Sequence, residues 1–262
     1  EGPGGFRLCS GRTPVVFMQG FGRQTLWLMS VFSSIDRRIL AIALPSIVSN
    51  ITVPLLGLVD VAVTGHMGAD GDTVGALPAS YYVGAIAVGG MLFNIIYWMF
   101  GFLRMGTGGE TAQAWGRRDL DGVVLLLVRS LLLALVLALV LMALSPLVCD
   151  GALWYIAPEA EVASLARTYF NICIWGAVPA LGLFAMYGWY IGMQNSRFPM
   201  IVAIGQNLLN IACSIFFVYA LGMRIEGVAL GTLLAQWVAF AIALLLCLRY
   251  YQRLWHRKTF SM

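Results

Sequence analysis

Six predominantly apolar stretches, each long enough to cross a bilayer as a helix, recur along this chain at about 39–63, 74–103, 122–148, 163–191, 199–221 and 227–248. A helix rises about 1.5 Å per residue, so roughly 20 apolar residues match the hydrocarbon layer. Inside that layer no water satisfies backbone N–H and C=O groups, and a helix satisfies its own. Composition argues against a soluble alternative. Of the 262 residues 60% are hydrophobic and only 11% charged, with a mean hydropathy of +0.85, whereas soluble domains carry roughly 25% charged residues. The expected fold is an all-α integral membrane protein, a bundle of six transmembrane helices over residues 39–250. Residues 1–38 form a basic, glycine-bearing and irregular segment before it.

The formal charge of +4 does not point to nucleic acid, because the basic residues lie between apolar segments and not among aromatic stacking platforms. They read as topology. Threading the spans alternately puts Arg7 to Arg38, Arg104, Arg117, Arg118, Arg197, Arg249, Arg253, Arg257 and Lys258 on one side. Arg167 and Arg224 fall near the other side, with Asp70, Asp72, Asp150, Glu159, Glu161 and Glu226, and Arg129 lies within a span. The positive-inside rule makes the basic side cytoplasmic, with both termini there; the expected location is the plasma (inner) membrane. Tyr250, Tyr251 and Trp255 form an interfacial belt ending the sixth span. The chain opens on Glu1, and Met29, followed by a polar lead-in, is a natural start for the first span.

Nothing in the sequence supports an enzyme. The histidines are His66 and His256, and neither an H-E-x-x-H helix nor a G-x-x-x-x-G-K-[ST] loop is present. Energy for any transport must come from an ion gradient or a partner. Cys9, Cys149, Cys173, Cys213 and Cys247 have no metal-ligand or redox spacing and read as small hydrophobes. No cofactor is expected.

Asp60 is the one acidic residue inside a span, where insertion costs up to about 2.5–3.5 kcal/mol. At about 100° per residue, Ser46, Ser49 and Gly57 project to the same side of the first helix as Asp60, giving it one small polar face. Pro45 and Pro54 interrupt this helix, each freeing a carbonyl that a cavity or an ion can use. In the fifth span Gln206, Asn207, Asn210 and Ser214 form a second polar group, with 207, 210 and 214 on one face. Either they knit helices together or they line an aqueous cavity opposite Asp60, and several amides on one face exceed what interhelical glue requires. Thr232, Gln236 and Asn94 are further cavity candidates. The glycine-bearing segments 104–116 and 192–200 lack a phosphate-loop lysine and are expected to be turns on the cytoplasmic side.

Three ordered signatures carry a family resemblance: ALPSIVSNITVPLLGLVDVAVTGHMG at 43–68, RMGTGGETAQAWG at 104–116, and GMQNSRFPM at 192–200 followed by the polar fifth helix. From about residue 35 to the end the chain resembles the multidrug and toxic compound extrusion (MATE) transporters, specifically their DinF-like branch. The resemblance implies an antiporter of twelve helices in two six-helix lobes. Such a protein exports organic cations or amphipathic compounds against H⁺ or Na⁺. It implies that Asp60 is the ion-coupling residue, that Pro45 is the first-helix proline, and that Asn210 is a cavity asparagine. Ser214 stands where many members carry an aspartate, which leaves Asp60 as the main carrier. The chain corresponds to the N-terminal lobe, with residues 251–262 as the start of an interlobe linker, so it needs a C-terminal lobe or a second copy. Its expected partners are a small-molecule substrate and membrane lipid. Competing readings are a lipid-linked oligosaccharide flippase of the same superfamily and a non-transporting, truncated membrane subunit.

Overall fold

A computed structural model describes residues 47, 51, 57–65 and 77–259, with side chains as far as residue 250. The expectations for Pro45, Ser46, Ser49, Pro54 and His66 fall outside these residues, as does the side chain of His256. The architecture is helical. Residues 57–65 form the described part of α1. It is followed by α2 (Ala79–Met99), α3 (Gly101–Gly116), α4 (Leu120–Ile156), α5 (Ala160–Cys173), a 3₁₀ turn (Ile174–Gly176), α6 (Ala177–Gly192), α7 (Arg197–Ile215), a π-helical segment (Phe216–Ala220) and α8 (Ile225–Thr259).

Among the described residues five helical stretches are long and apolar enough to cross a membrane: Ala79–Gly116, Leu120–Ile156, Ala160–Gly192, Arg197–Ala220 and Ile225–Tyr250. They coincide with the second to sixth predicted spans, each running past its predicted bounds at one end at least. The 37 residues of α4 extend about 55 Å, so both its ends stand outside the hydrocarbon.

Residues 104–116 are not a turn, as expected from their glycines, but the body of α3. Their glycines serve close helix contact. A methyl built on Gly188 of α6 would meet the Arg104 carbonyl and stand 3.1 Å from the Gly108 nitrogen; one on Gly192 would stand 2.7 Å from the Gly108 oxygen and from Thr111 Cβ. In a membrane, where apolar burial does not drive helices together, such backbone-to-backbone approach is a main source of association. The 192–200 segment does contain the expected turn. Gln194 takes a left-handed φ of 60°, and the Asn195 N–H closes back on the Tyr190 carbonyl at 2.9 Å. At the same end of the bundle Arg118 is left-handed at φ 59°. Asp119 closes on the Ala114 carbonyl at 3.0 Å and caps α4 by accepting from the Gly122 N–H at 2.9 Å.

The connected α5–α6 helix is the most buried of the five and carries both halves of the core. In one half Phe93 stacks on Phe170 at 4.9 Å between ring centroids, beside Tyr169, Cys173 and Ala177. In the other half the Trp189 indole N–H donates to the Val123 carbonyl of α4 at 2.9 Å. The Tyr190 hydroxyl there donates to the Ala243 carbonyl of α8 at 2.8 Å. These aromatic donors are buried because each reaches a partner.

Candidate functional site

Asp60 is half-buried on α1, with one carboxylate oxygen, Oδ1, shielded and accepting no hydrogen bond among the described residues. One turn on, the Thr64 hydroxyl donates to the Asp60 carbonyl at 2.7 Å and turns its polarity back on its own helix. The carboxylate lies close enough to Tyr169 and Cys173 of α5 for its charge to act on both. Tyr169 in turn lies beside Cys173 and near Thr232 on α8.

Thr232 joins this group to α7. The Asn210 amide donates to Thr232 Oγ1 at 3.1 Å, Ser214 Oγ donates to Asn210 Oδ1 at 3.1 Å, and Thr232 Oγ1 donates to the Val228 carbonyl at 3.0 Å. Asn210 and Ser214 are buried. Gly231 lets the helices meet here, since a methyl on it would stand 2.7 Å from Ser214 Oγ. Asp60, Tyr169, Cys173, Thr232, Asn210 and Ser214 thus form one polar seam through α1, α5, α8 and α7. Asn207 lies half-buried on α7, three residues before Asn210. Gln236 sits beside the seam, its amide oxygen against Gly176, where a methyl would collide with it.

A separate cavity walled by described residues lies elsewhere. It occupies about 1010 Å³ between α2, α3 and α6, beside the one-residue break at Phe100 that separates α2 from α3. Tyr97, Trp98, Phe102 and Phe184 supply aromatic walls, Asn94 and Arg104 supply polarity, and Gly101, Gly108 and Gly188 make room. Tyr97 and Phe184 meet edge-on at 6.1 Å. Such walls suit flat, amphipathic molecules, by stacking and by the attraction of a cation to ring faces. Asn94 was the residue here that sequence reasoning picked out. Cys173 reads in the sequence as a small hydrophobe, and Tyr97, Trp98, Phe102 and Tyr169 carry no signal of their own there. Arg129, the cation that the sequence places in mid-span, is exposed on α4 and is not among the residues lining this cavity.

Comparison with known proteins agrees with this architecture. The chain is 36% identical over 218 residues to DNA damage-inducible protein F of Escherichia coli, covering 83% of the chain and 45% of that protein. It is 28% identical over 235 residues to multidrug and toxin extrusion protein 1 of Oryctolagus cuniculus, covering 87% of the chain and 39% of that protein. It therefore spans less than half the length of either relative. Among solved structures, an outward-facing multidrug resistance MATE family transporter of the MOP superfamily superposes with a TM-score of 0.69 at 23% identity, covering 79% of this chain and 43% of that one. A MOP superfamily transporter from Pyrococcus furiosus superposes with a TM-score of 0.68 at 22% identity, over the same shares of both chains. Both have the same all-helical membrane fold. Residues 45–216, well over half of the chain, match the family described as MatE, and this membrane protein belongs to that family.

Proposed function

We propose that this chain is one six-helix lobe of a secondary antiporter that exports organic cations or other amphipathic compounds in exchange for H⁺ or Na⁺. The observation that carries the reading is the polar seam. A carboxylate with a shielded oxygen that accepts no hydrogen bond among the described residues lies near Tyr169, beside Thr232 and the amide and hydroxyl that Thr232 and Asn210 tie together on α7. Purely structural glue would leave no acceptor open in a site so costly to polarise. An ion that binds or leaves Asp60 changes what the neighbouring donors do, and α7 and α8 repack in response. The aromatic cavity between α2, α3 and α6 is the substrate surface of this lobe. A second lobe, or a second copy, supplies the opposing wall. The plasma membrane is its location, with both termini on the cytoplasmic side.

Reconstitution tests this. In liposomes holding the chain together with a C-terminal lobe, a pH or Na⁺ gradient should drive efflux of a fluorescent organic cation. Asp60→Asn keeps the size and cannot cycle a proton. It should abolish gradient-driven flux while substrate affinity stays within about threefold. Export by Asp60→Asn at the parent rate under both gradients would show that coupling lies elsewhere.

A further inference from the structure

Away from the polar seam, α5 turns a second polar face outward, where Ser164, Arg167 and Asn171 recur at helical spacing and Trp175 follows in the 3₁₀ turn, all exposed. Between α4 and the end of α5 with its 3₁₀ turn lies a groove of about 450 Å³, lined by Met142, Ala143, Ser145, Asn171, Ile174 and Trp175. The Asn171 amide makes no hydrogen bond among the described residues. The level of the groove in the bilayer follows from the chain itself. Trp154 and Tyr155, 83% and 84% exposed near the end of α4, mark the headgroup level. Asp150, one turn further in, pairs with Arg167 at 2.8 Å. Asn171 lies one turn below Arg167, about 5.4 Å deeper, and Trp175 one turn below that.

From this register we infer that the groove between α4 and α5 binds a phosphatidylethanolamine molecule of the surrounding bilayer. The ion pair uses one oxygen of Asp150 and one nitrogen of Arg167, and both side chains are more than half exposed. The remaining guanidinium N–H groups face a phosphate, and the second carboxylate oxygen faces an ammonium. A zwitterionic headgroup satisfies both, whereas an anionic one meets the Asp150 charge. Choline has no N–H to donate. One turn deeper, at the level of the acyl esters, the Asn171 amide donates to an ester carbonyl and so finds the partner that hydrocarbon denies it. An acyl chain then runs along Trp175, Ile174 and Met142. The inference does not rest on the transport reading, because this face points away from Asp60 and the aromatic cavity.

The test uses the full chain in nanodiscs of equal phosphatidylethanolamine, phosphatidylcholine and phosphatidylglycerol, with a diazirine on the ethanolamine lipid's acyl chain. Cross-links should concentrate on peptides holding Met142 and Ile174–Trp175. Lipid retained through detergent purification should be chiefly phosphatidylethanolamine, falling about fivefold in Asn171→Leu. Asp150→Asn should shift retention toward phosphatidylglycerol. Cross-links spread evenly over exposed faces such as that of Leu208 would overturn the site, even with every variant folded. Equal retention of the choline lipid would overturn the headgroup assignment. Self-cross-linking at Trp175→Cys with no lipid retained would make the groove a contact between copies.

Discussion

Glycines of α3 and α6 do different work, and single methyl groups separate them. Gly106 has nothing within 4 Å of an added Cβ, whereas Gly188, facing Gly108 from α6, would press its methyl onto the Arg104 carbonyl. Gly106→Ala should therefore be neutral or stabilising, by up to about 1 kcal/mol, through helix propensity. Gly188→Ala should force α3 from α6 and cost about 1–3 kcal/mol. Thermal unfolding of the two variants in detergent, followed by a buried-thiol probe at Cys247, checks the difference. Equal destabilisation would mean that α3 does not pack on α6 as described. The seam allows a parallel argument. Asn210→Leu strips both Ser214 and Thr232 of their side-chain partner and should cost about 1–3 kcal/mol, and Asn210→Gln should not rescue it, because Gly231 holds the helices too close for a longer side chain.

Within α4, Pro146 lies inside the helix, and it has no N–H for the Met142 carbonyl four residues back. The Ser145 hydroxyl donates to that carbonyl at 2.7 Å, so the adjacent pair repairs its own defect inside a lipid-facing helix. Ser145→Ala should cost about 1–2 kcal/mol in Pro146 protein and much less in Pro146→Ala protein, where the backbone bond returns. A double-mutant cycle on unfolding free energy measures the coupling, and additive effects would refute the repair. The same element shows what a sequence can and cannot display. The span at 122–148 was legible because apolar length and flanking charge suffice for a lipid-facing helix. Its continuation to Ile156 was not, since Asp150 and Gly151 look like an exit from the membrane until Asp150 is seen paired with Arg167. In α3 the reading failed for a physical reason. Glycine marks turns in water, where its backbone freedom is available, but in lipid the backbone must stay bonded, and glycine marks close contact. For the site, Asp60, Asn210, Ser214 and Thr232 stood out as polar groups in apolar surroundings. Tyr169 and Cys173 belong to the same seam only by three-dimensional proximity, and two amphipathic residues in a hydrophobic helix leave no pattern to read.

At the scale of the whole bundle, the charges sort by end. The turns between α3 and α4 and between α6 and α7, with the region around residue 249, hold Arg117, Arg118, Arg197 and Arg249. The opposite end holds Arg167 and Arg224, and both are engaged: Arg167 with Asp150, and Arg224 with the Tyr82 hydroxyl at 3.0 Å. The first end holds more basic residues, Arg117 and Arg118 both exposed, and it is this Lys/Arg excess that sets orientation. The end bearing Arg117 should therefore face the cytoplasm. In a chain whose native cysteines are replaced, Arg117→Cys and Glu159→Cys place single thiols on exposed positions of opposite turns. A membrane-impermeant maleimide added to intact cells should label residue 159 and reach residue 117 only after permeabilisation. Glu159 is the better reporter of its end because α5 begins immediately after it and Ala157 already turns the chain left-handed at φ 46°, so the probe sits at the tip of the connection. Labelling of 117 without 159 in intact cells would invert the bundle, placing the Asp150–Arg167 pair in the cytoplasmic leaflet; labelling of both would mean a mixture of orientations, which a bias this one-sided excludes.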